Sequence, residues 1–245
     1  MKIKSLTVLI ALIPTAIFSQ VTIKDAEDFT IGTVLKFQQC DTAGVKPGFT
    51  GPKQTWDFST IKAGTTTVTE EMVKPETTPN GKQFPTANTV EKYSDGQYVY
   101  ADKENNLSSL VGYVSTKMNM VMEYPKPMVF AKRPIMFGGT NSYPFTDKFT
   151  SNNMKFSGKG LVTLAADGYG TLILPNKKYS NVLRVKITQK QTDTLLQNHT
   201  VSTMTITTYV WFDEKHKSAL FKISTSVSPA YFSKTVEYLI SEEDK

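Results

Sequence analysis

Scarcities narrow the chemistry before any pattern is read. The 245-residue chain holds one cysteine, Cys40, so no internal disulfide can form, and this thiol is expected in the core. Histidine occurs twice, as His199 and His216. No G-x-S-x-G elbow accompanies them and no close Cys/His pairs have zinc spacing, so neither a serine or cysteine hydrolase nor a zinc centre is indicated. Nothing calls for a cofactor. The formal charge is a modest +6 and dispersed; Lys132-Arg133 and Lys177-Lys178 are the adjacent basic pairs. Nucleic-acid binding needs a concentrated basic footprint, so no nucleic-acid partner is expected.

Long hydrophobic runs are equally scarce, and the exception is at the start. Lys2 and Lys4 precede an apolar stretch from Leu6 to Phe18, then Ser19-Gln20. A basic n-region, a short h-region and a small residue at the cut describe a secretory signal peptide over residues 1–19. A membrane anchor needs about 20 apolar residues, and this stretch is shorter and holds Pro14. Cleavage leaves no expected transmembrane segment. It removes Lys2 and Lys4 and no acid, so the charge falls from +6 to +4. No cysteine stands at the cut to receive a lipid. The product is expected to be periplasmic or secreted.

What is abundant from residue 20 onward is Thr, Val, Ile, Tyr and Phe, in runs bounded by Gly, Pro, Asn and Asp. Alternation is clearest in the C-terminal half. Met204, Ile206, Thr208, Val210 and Phe212 share one face of a strand, and Thr203, Thr205, Thr207, Tyr209 and Trp211 the other. Ala219, Phe221, Ile223, Thr225 and Val227 read as inward-facing, as do Phe232, Val236, Tyr238 and Ile240. Leu183, Val185 and Ile187 alternate with Arg184, Lys186 and Thr188. Period-two alternation means strands with two unlike faces, and short breaks between long strands mean an antiparallel meander. Asp167-Gly168 reads as a hairpin turn between 156–164 and 170–174.

N-terminal strands are expected within 20–115, at 30–38, 65–73, 89–101 and 107–115, and another at 117–124. Residues 124–144, with four prolines and Gly138-Gly139, read as an irregular crossover to a meander over 154–240. The fold class is all-β: a curled sheet, half-barrel or sandwich, in a single domain over 20–245.

Candidate sites are few. Trp211 and Tyr209 share the wetter face of their strand, as aromatics do where they stack sugars or line an amphipathic groove, and they are the candidate ligand-binding residues. Met118, Met120 and Met122 could offer soft ligands to copper, but their apolar neighbours favour core packing, and no metal site is assigned. Asp25, Glu27 and Asp28 read as a solvated acidic turn. No catalytic residue is assigned; paired carboxylates for sugar hydrolysis would come from Glu70, Glu71, Glu91, Glu123, Asp147, Asp167, Asp193 or Glu237.

Several segments resemble a known family. Gly51-Pro52-Lys53-Gln54-Thr55-Trp56-Asp57-Phe58-Ser59 is similar to the G-x-N-Q-T-W-D-F-S segment of uncharacterised secreted proteins of Bacteroidetes, with Lys53 in place of the usual Asn. Residues 83–88 resemble their S-F-P-x-A-N segment. Residues 144–149 resemble their aromatic stretch before a hairpin, and 167–186 resemble a strand–turn–strand of the family. The resemblance implies an exported protein and carries over no catalytic residues. Many relatives append a C-terminal type IX sorting domain. This chain ends at Lys245 after its last expected strand, so periplasmic residence stands beside secretion. The leading functional expectation is a non-enzymatic binding or envelope-associated protein for an amphipathic small molecule or saccharide. A carboxylate hydrolase and a structural envelope component are the alternatives; the oligomeric state is not legible.

Overall fold

The computed structural model describes residues 21–104 and 106–243; the signal peptide expected at 1–19 lies outside them. Fifteen strands follow in chain order: β1 (Thr22–Ile23), β2 (Val34–Cys40), β3 (Gly51–Asp57), β4 (Ala63–Val73), β5 (Thr89–Tyr93), β6 (Gln97–Glu104), β7 (Leu107–Ser115), β8 (Met120–Lys132), β9 (Ile135–Met136), β10 (Thr140–Ser151), β11 (Met154–Leu174), β12 (Lys177–Leu195), β13 (Val201–Phe212), β14 (Phe221–Ser228) and β15 (Tyr231–Glu243). Two short 3-10 turns, Pro75–Thr77 and Gly81–Gln83, are the described helical segments.

The all-β expectation holds, and the curl goes to completion. Antiparallel neighbours run β10-β8-β7-β6-β5-β4-β2-β15-β14-β13-β12-β11, and β11 pairs back to β10 along the whole of β10. Twelve strands thus close into a barrel and leave no open edge in the ring. The N-terminal and C-terminal strands belong to this one sheet. Polar side chains such as Thr146, Lys148, Lys159 and Lys190 stand exposed on its outer surface.

Two local readings change. Residues 124–144 are mostly strand: β8 runs through Pro125 and Pro127, which sit where its pairing with β10 slips. Proline is tolerated at such irregularities because no ladder donor is lost there. Asp167-Gly168 is not a turn; β11 runs straight past it with bulges at Ala166/Gly168 and Gly170/Leu172. Asp167 instead pairs with Arg184, and a side chain at Gly170 would collide with the backbone of Gln54. The β10–β11 hairpin turns at Asn152-Asn153, both at positive φ (48° and 64°), the backbone that a two-residue hairpin requires.

The segment between β2 and β4 explains the largest surprise. It lays β3 parallel to the end of β11 and covers the outside of the barrel with Val45, Trp56, Phe58 and Ile61. Beneath it lie Leu172, Val182, Trp211, Phe221, Ile223 and Val236. The face of β14 and β15 read as inward, with Phe221, Ile223 and Val236, therefore points outward into this second core. Arg184 is sealed in the same layer among the rings of Trp56, Tyr209 and Trp211, with its guanidinium carbon 5.2–5.8 Å from their centroids. Its Nε donates to Asp167 Oδ1 at 2.7 Å, and its Nη1 donates to the carbonyls of Pro47 and Gly48.

This guanidinium ties the covering segment to the barrel wall. Removing one partner of a buried ion pair costs about 3–5 kcal/mol, so Arg184→Ala is expected to destabilise the protein by that amount. Because both tryptophans flank the arginine, their emission is expected to shift to the red in the folded variant. Emission and stability unchanged from wild type would show that the outer layer does not depend on Arg184.

Candidate functional site

Tyr209 and Trp211 do not form a groove. Trp211 is 0 % exposed, with Trp56, Phe58 and Phe221 against its ring at 5.9, 5.7 and 5.2 Å, and Tyr209 packs beside it. The end of the wetter strand face that carries Tyr209 and Trp211 is covered by the chain's own 41–62 segment, while Thr203 on the same face is exposed. Alternation could show two unlike faces but not what would cover either.

The other side of the same strands faces the lumen, which the register divides into rows. Asp147, Gly158 and Asp193 lie across one row; Phe145, Gly160 and Gln191 across the next; then Tyr143, Val162 and Gln189; then Asn141, Leu164, Ile187 and Thr208. Ala166, Val185, Val210, Lys222, Glu237 and Gln39 form the last.

At one end, the carboxyls of Asp147 and Asp193 both lean over Gly158, where a Cβ would run into them. These acids do meet, as the hydrolase reading requires. They are, however, 1 % and 8 % exposed and separated from the opposite end by Tyr124, Phe145 and Val162. Burial, with Asp193 adding repulsion, pushes Asp147 up to about 7. Gln189 donates to Gln191 and Gln191 to Asp193, a chain that fixes the second acid. Nothing here opens as a cleft between two carboxylates.

The other end holds a cavity of about 510 Å³. Leu164, Ala166, Val185, Ile187, Val210 and Phe212 wall it on the β11–β13 side, and Phe130 and Ala131 face them. Residues 132–141 form the rim, where Lys132, Met136, Gly139 and Thr140 are exposed. Its floor is charged: Glu27, Glu91 and Lys222. Lys222 is the lumen side of the β14 alternation. Its Nζ sits 3.2 Å from Glu70 Oε1, 3.5 Å from Glu237 Oε1 and 3.9 Å from the Phe37 ring centroid. Glu91 Oε1 lies 3.7 Å from Lys103 Nζ, and Glu91 Oε2 accepts from the Tyr93 hydroxyl at 3.3 Å.

Glu27 arrives from the acidic turn that read as solvated. Ile23 and Ala26 dock on Leu183, Val185, Val210 and Phe212, and Arg133 pairs with Asp28 and donates to the Ala26 carbonyl. Glu27 N donates to the Lys217 carbonyl, and this anchoring carries the Glu27 side chain to the cavity floor. No spacing rule reveals this; the one available signal is that an inward lysine demands acids near it.

Burial pushes Glu27 and Glu70 each up to about 7 against the pull of Lys222. Burial alone would lower Lys222, but Glu70, Glu237 and Glu27 outweigh it and hold the ammonium above its ordinary range. Cys40 is half-buried, and burial raises its thiol to about 11, which keeps it protonated and unreactive at neutral pH. His216 Nδ1 lies 2.8 Å from Asp213 Oδ1, but the nearby Ser218 hydroxyl is buried and donates to the Ala219 carbonyl, so no triad forms. Among the described residues no cluster of three His, Cys, Asp or Glu could hold a metal, and no helix is long and apolar enough to cross a membrane.

Comparison with protein-family models, curated proteins and solved structures finds no match.

The floor carries a stability consequence. Glu27 and Glu70 bind protons more tightly folded, near 7, than at their ordinary value of 4.5. Their contribution to stability is whole below 4.5 and is lost as pH rises through about 7. The urea midpoint is expected to fall between pH 5 and pH 8.5 in roughly that window, and Glu70→Gln to flatten the fall. An equally steep fall in the variant would show that Glu70 does not titrate there.

Proposed function

We propose that the protein is an exported, non-enzymatic binding protein that holds the apolar part of a small amphipathic molecule inside its barrel. The observation that carries this reading is the cavity of about 510 Å³ with an apolar wall and a charged floor. Small-molecule sites are typically concavities of about 300–1,000 Å³, mostly apolar, with few convergent polar groups. The wall supplies methyls and two phenyl rings rather than the hydrogen-bonding partners a saccharide needs, so the amphipath is favoured. The leader at residues 1–19 and the likeness of residues 51–59 and 167–186 to exported Bacteroidetes proteins support passage to the periplasm or beyond. The exposed polar outer surface agrees with a free-standing carrier, where a membrane barrel is apolar on that side.

The test is binding of an uncharged fluorescent dye, N-phenyl-1-naphthylamine, to the protein. Saturable one-to-one enhancement is expected in wild type. It is expected to disappear in Ala166→Phe, which fills the cavity from the β11 wall, and in Ala131→Leu, which fills it from the opposite side. Undiminished dye binding in either variant with a native circular dichroism spectrum would overturn the proposal, as would no binding by wild type.

A further inference from the structure

The charged floor is not balanced, and the imbalance names the ligand's head group. Four carboxylates, Glu27, Glu70, Glu91 and Glu237, face two ammonium groups, Lys103 and Lys222. Tyr93 contributes a neutral hydroxyl, since burial raises its ionisation well beyond the ordinary range. Arg133 is engaged elsewhere, by Asp28, Ser108 and the Ala26 carbonyl, and the exposed Lys132 at the rim donates to Asn141. Because Glu27 and Glu70, raised to about 7, together hold about one proton at neutral pH, the floor is short of about one cation, and the exposed Lys132 at the rim is the nearest further positive charge on the cavity lining.

Glu91 shows where the deficit lies. It is 7 % exposed and lines the cavity, yet its Oε1 accepts no hydrogen bond; the Lys103 ammonium stands at 3.7 Å, beyond bonding reach. A buried carboxylate oxygen without a donor is costly, and Lys103 Nζ, its ion-pair partner, makes no hydrogen bond either; because Glu91 lines the cavity, a ligand ammonium beside it can supply the missing donor. Lys222 cannot serve an incoming anion equally well, because Glu70 and Glu237 already hold it and would repel a second carboxylate.

Resting on the reading of the cavity as a ligand site, we infer that the ligand is a cationic amphipath: an ammonium-type head between Glu27 and Glu91, with its hydrocarbon body along Leu164, Ile187 and Val210. Such a head restores charge balance, donates to the empty Glu91 oxygen, and leaves the Lys222 cluster intact.

Displacement of the same dye by dodecylamine, 1-dodecanol and dodecanoate, each below its aggregation concentration, separates head-group preference from cavity binding. Dodecylamine is expected to displace at a concentration at least about tenfold lower than dodecanol, the effect of one charge-assisted hydrogen bond. Dodecanoate is expected to be weakest. Glu27→Gln and Glu91→Gln should each erase most of the amine's advantage over dodecanol, the ratio of the two displacement concentrations falling towards one; Glu27 is half-buried, so its variant guards against a folding failure of the other. The amine's advantage should also grow from pH 6 to pH 8 as the floor loses protons. If dodecanol displaces the dye and the amine does no better, or dodecanoate does best, the head-group inference fails and the cavity stands. An amine advantage that survives in both variants would also overturn it. If none of the three displaces a bound dye, the cavity reading itself fails.

Discussion

An ammonium inside a β-barrel has to be matched, and much of this molecule is arranged around that requirement. Lys222 lies on the lumen side of a strand whose opposite side carries Phe221 and Ile223. Taking a charge out of water is tolerable only with close partners, and Glu70 and Glu237 supply them from β4 and β15. With the polar side of β14 turned inward, its apolar side faces out and needs a cover. The 41–62 segment provides it, and Trp56 and Phe58 close over Trp211 as a result. The buried lysine, the inverted strand and the outer layer form one linked arrangement.

That linkage also shows how far the sequence could be read. Period-two alternation places β12 to β15 closely, and short breaks such as 213–216 and 228–230 justify an antiparallel meander. The all-β class follows directly. Alternation is blind to sidedness when both faces will be covered, so Phe221 and Ile223 read as inward. Closure was equally hidden. It depends on β10 pairing with both β8 and β11, and β8 carries prolines that read as irregular chain. The Asp95-Gly96 turn that divides β5 from β6 was short enough to pass inside one expected strand.

The site was less legible than the fold for a related reason. Its walls come from residues already marked by alternation, Val185, Ile187 and Val210 among them. Its floor comes from four separated stretches of chain, and only folding brings Glu27, Glu70, Glu91 and Lys222 together. Glu27 in particular sits in a short acidic run whose composition resembles any solvated turn. The acids weighed for hydrolysis do meet in space, some as a sealed pair over Gly158 and some around a lysine. Neither arrangement is that of two carboxylates astride an open cleft.

The account rests on the lumen, not the outer surface, being where an apolar chain lodges. Intermolecular nuclear Overhauser effects between a bound alkyl chain and methyl-labelled protein address this directly. The arrangement described predicts contacts to the methyls of Leu164, Val185, Ile187 and Val210. Contacts confined to exposed outer methyls such as those of Val227 and Ile240 would contradict it.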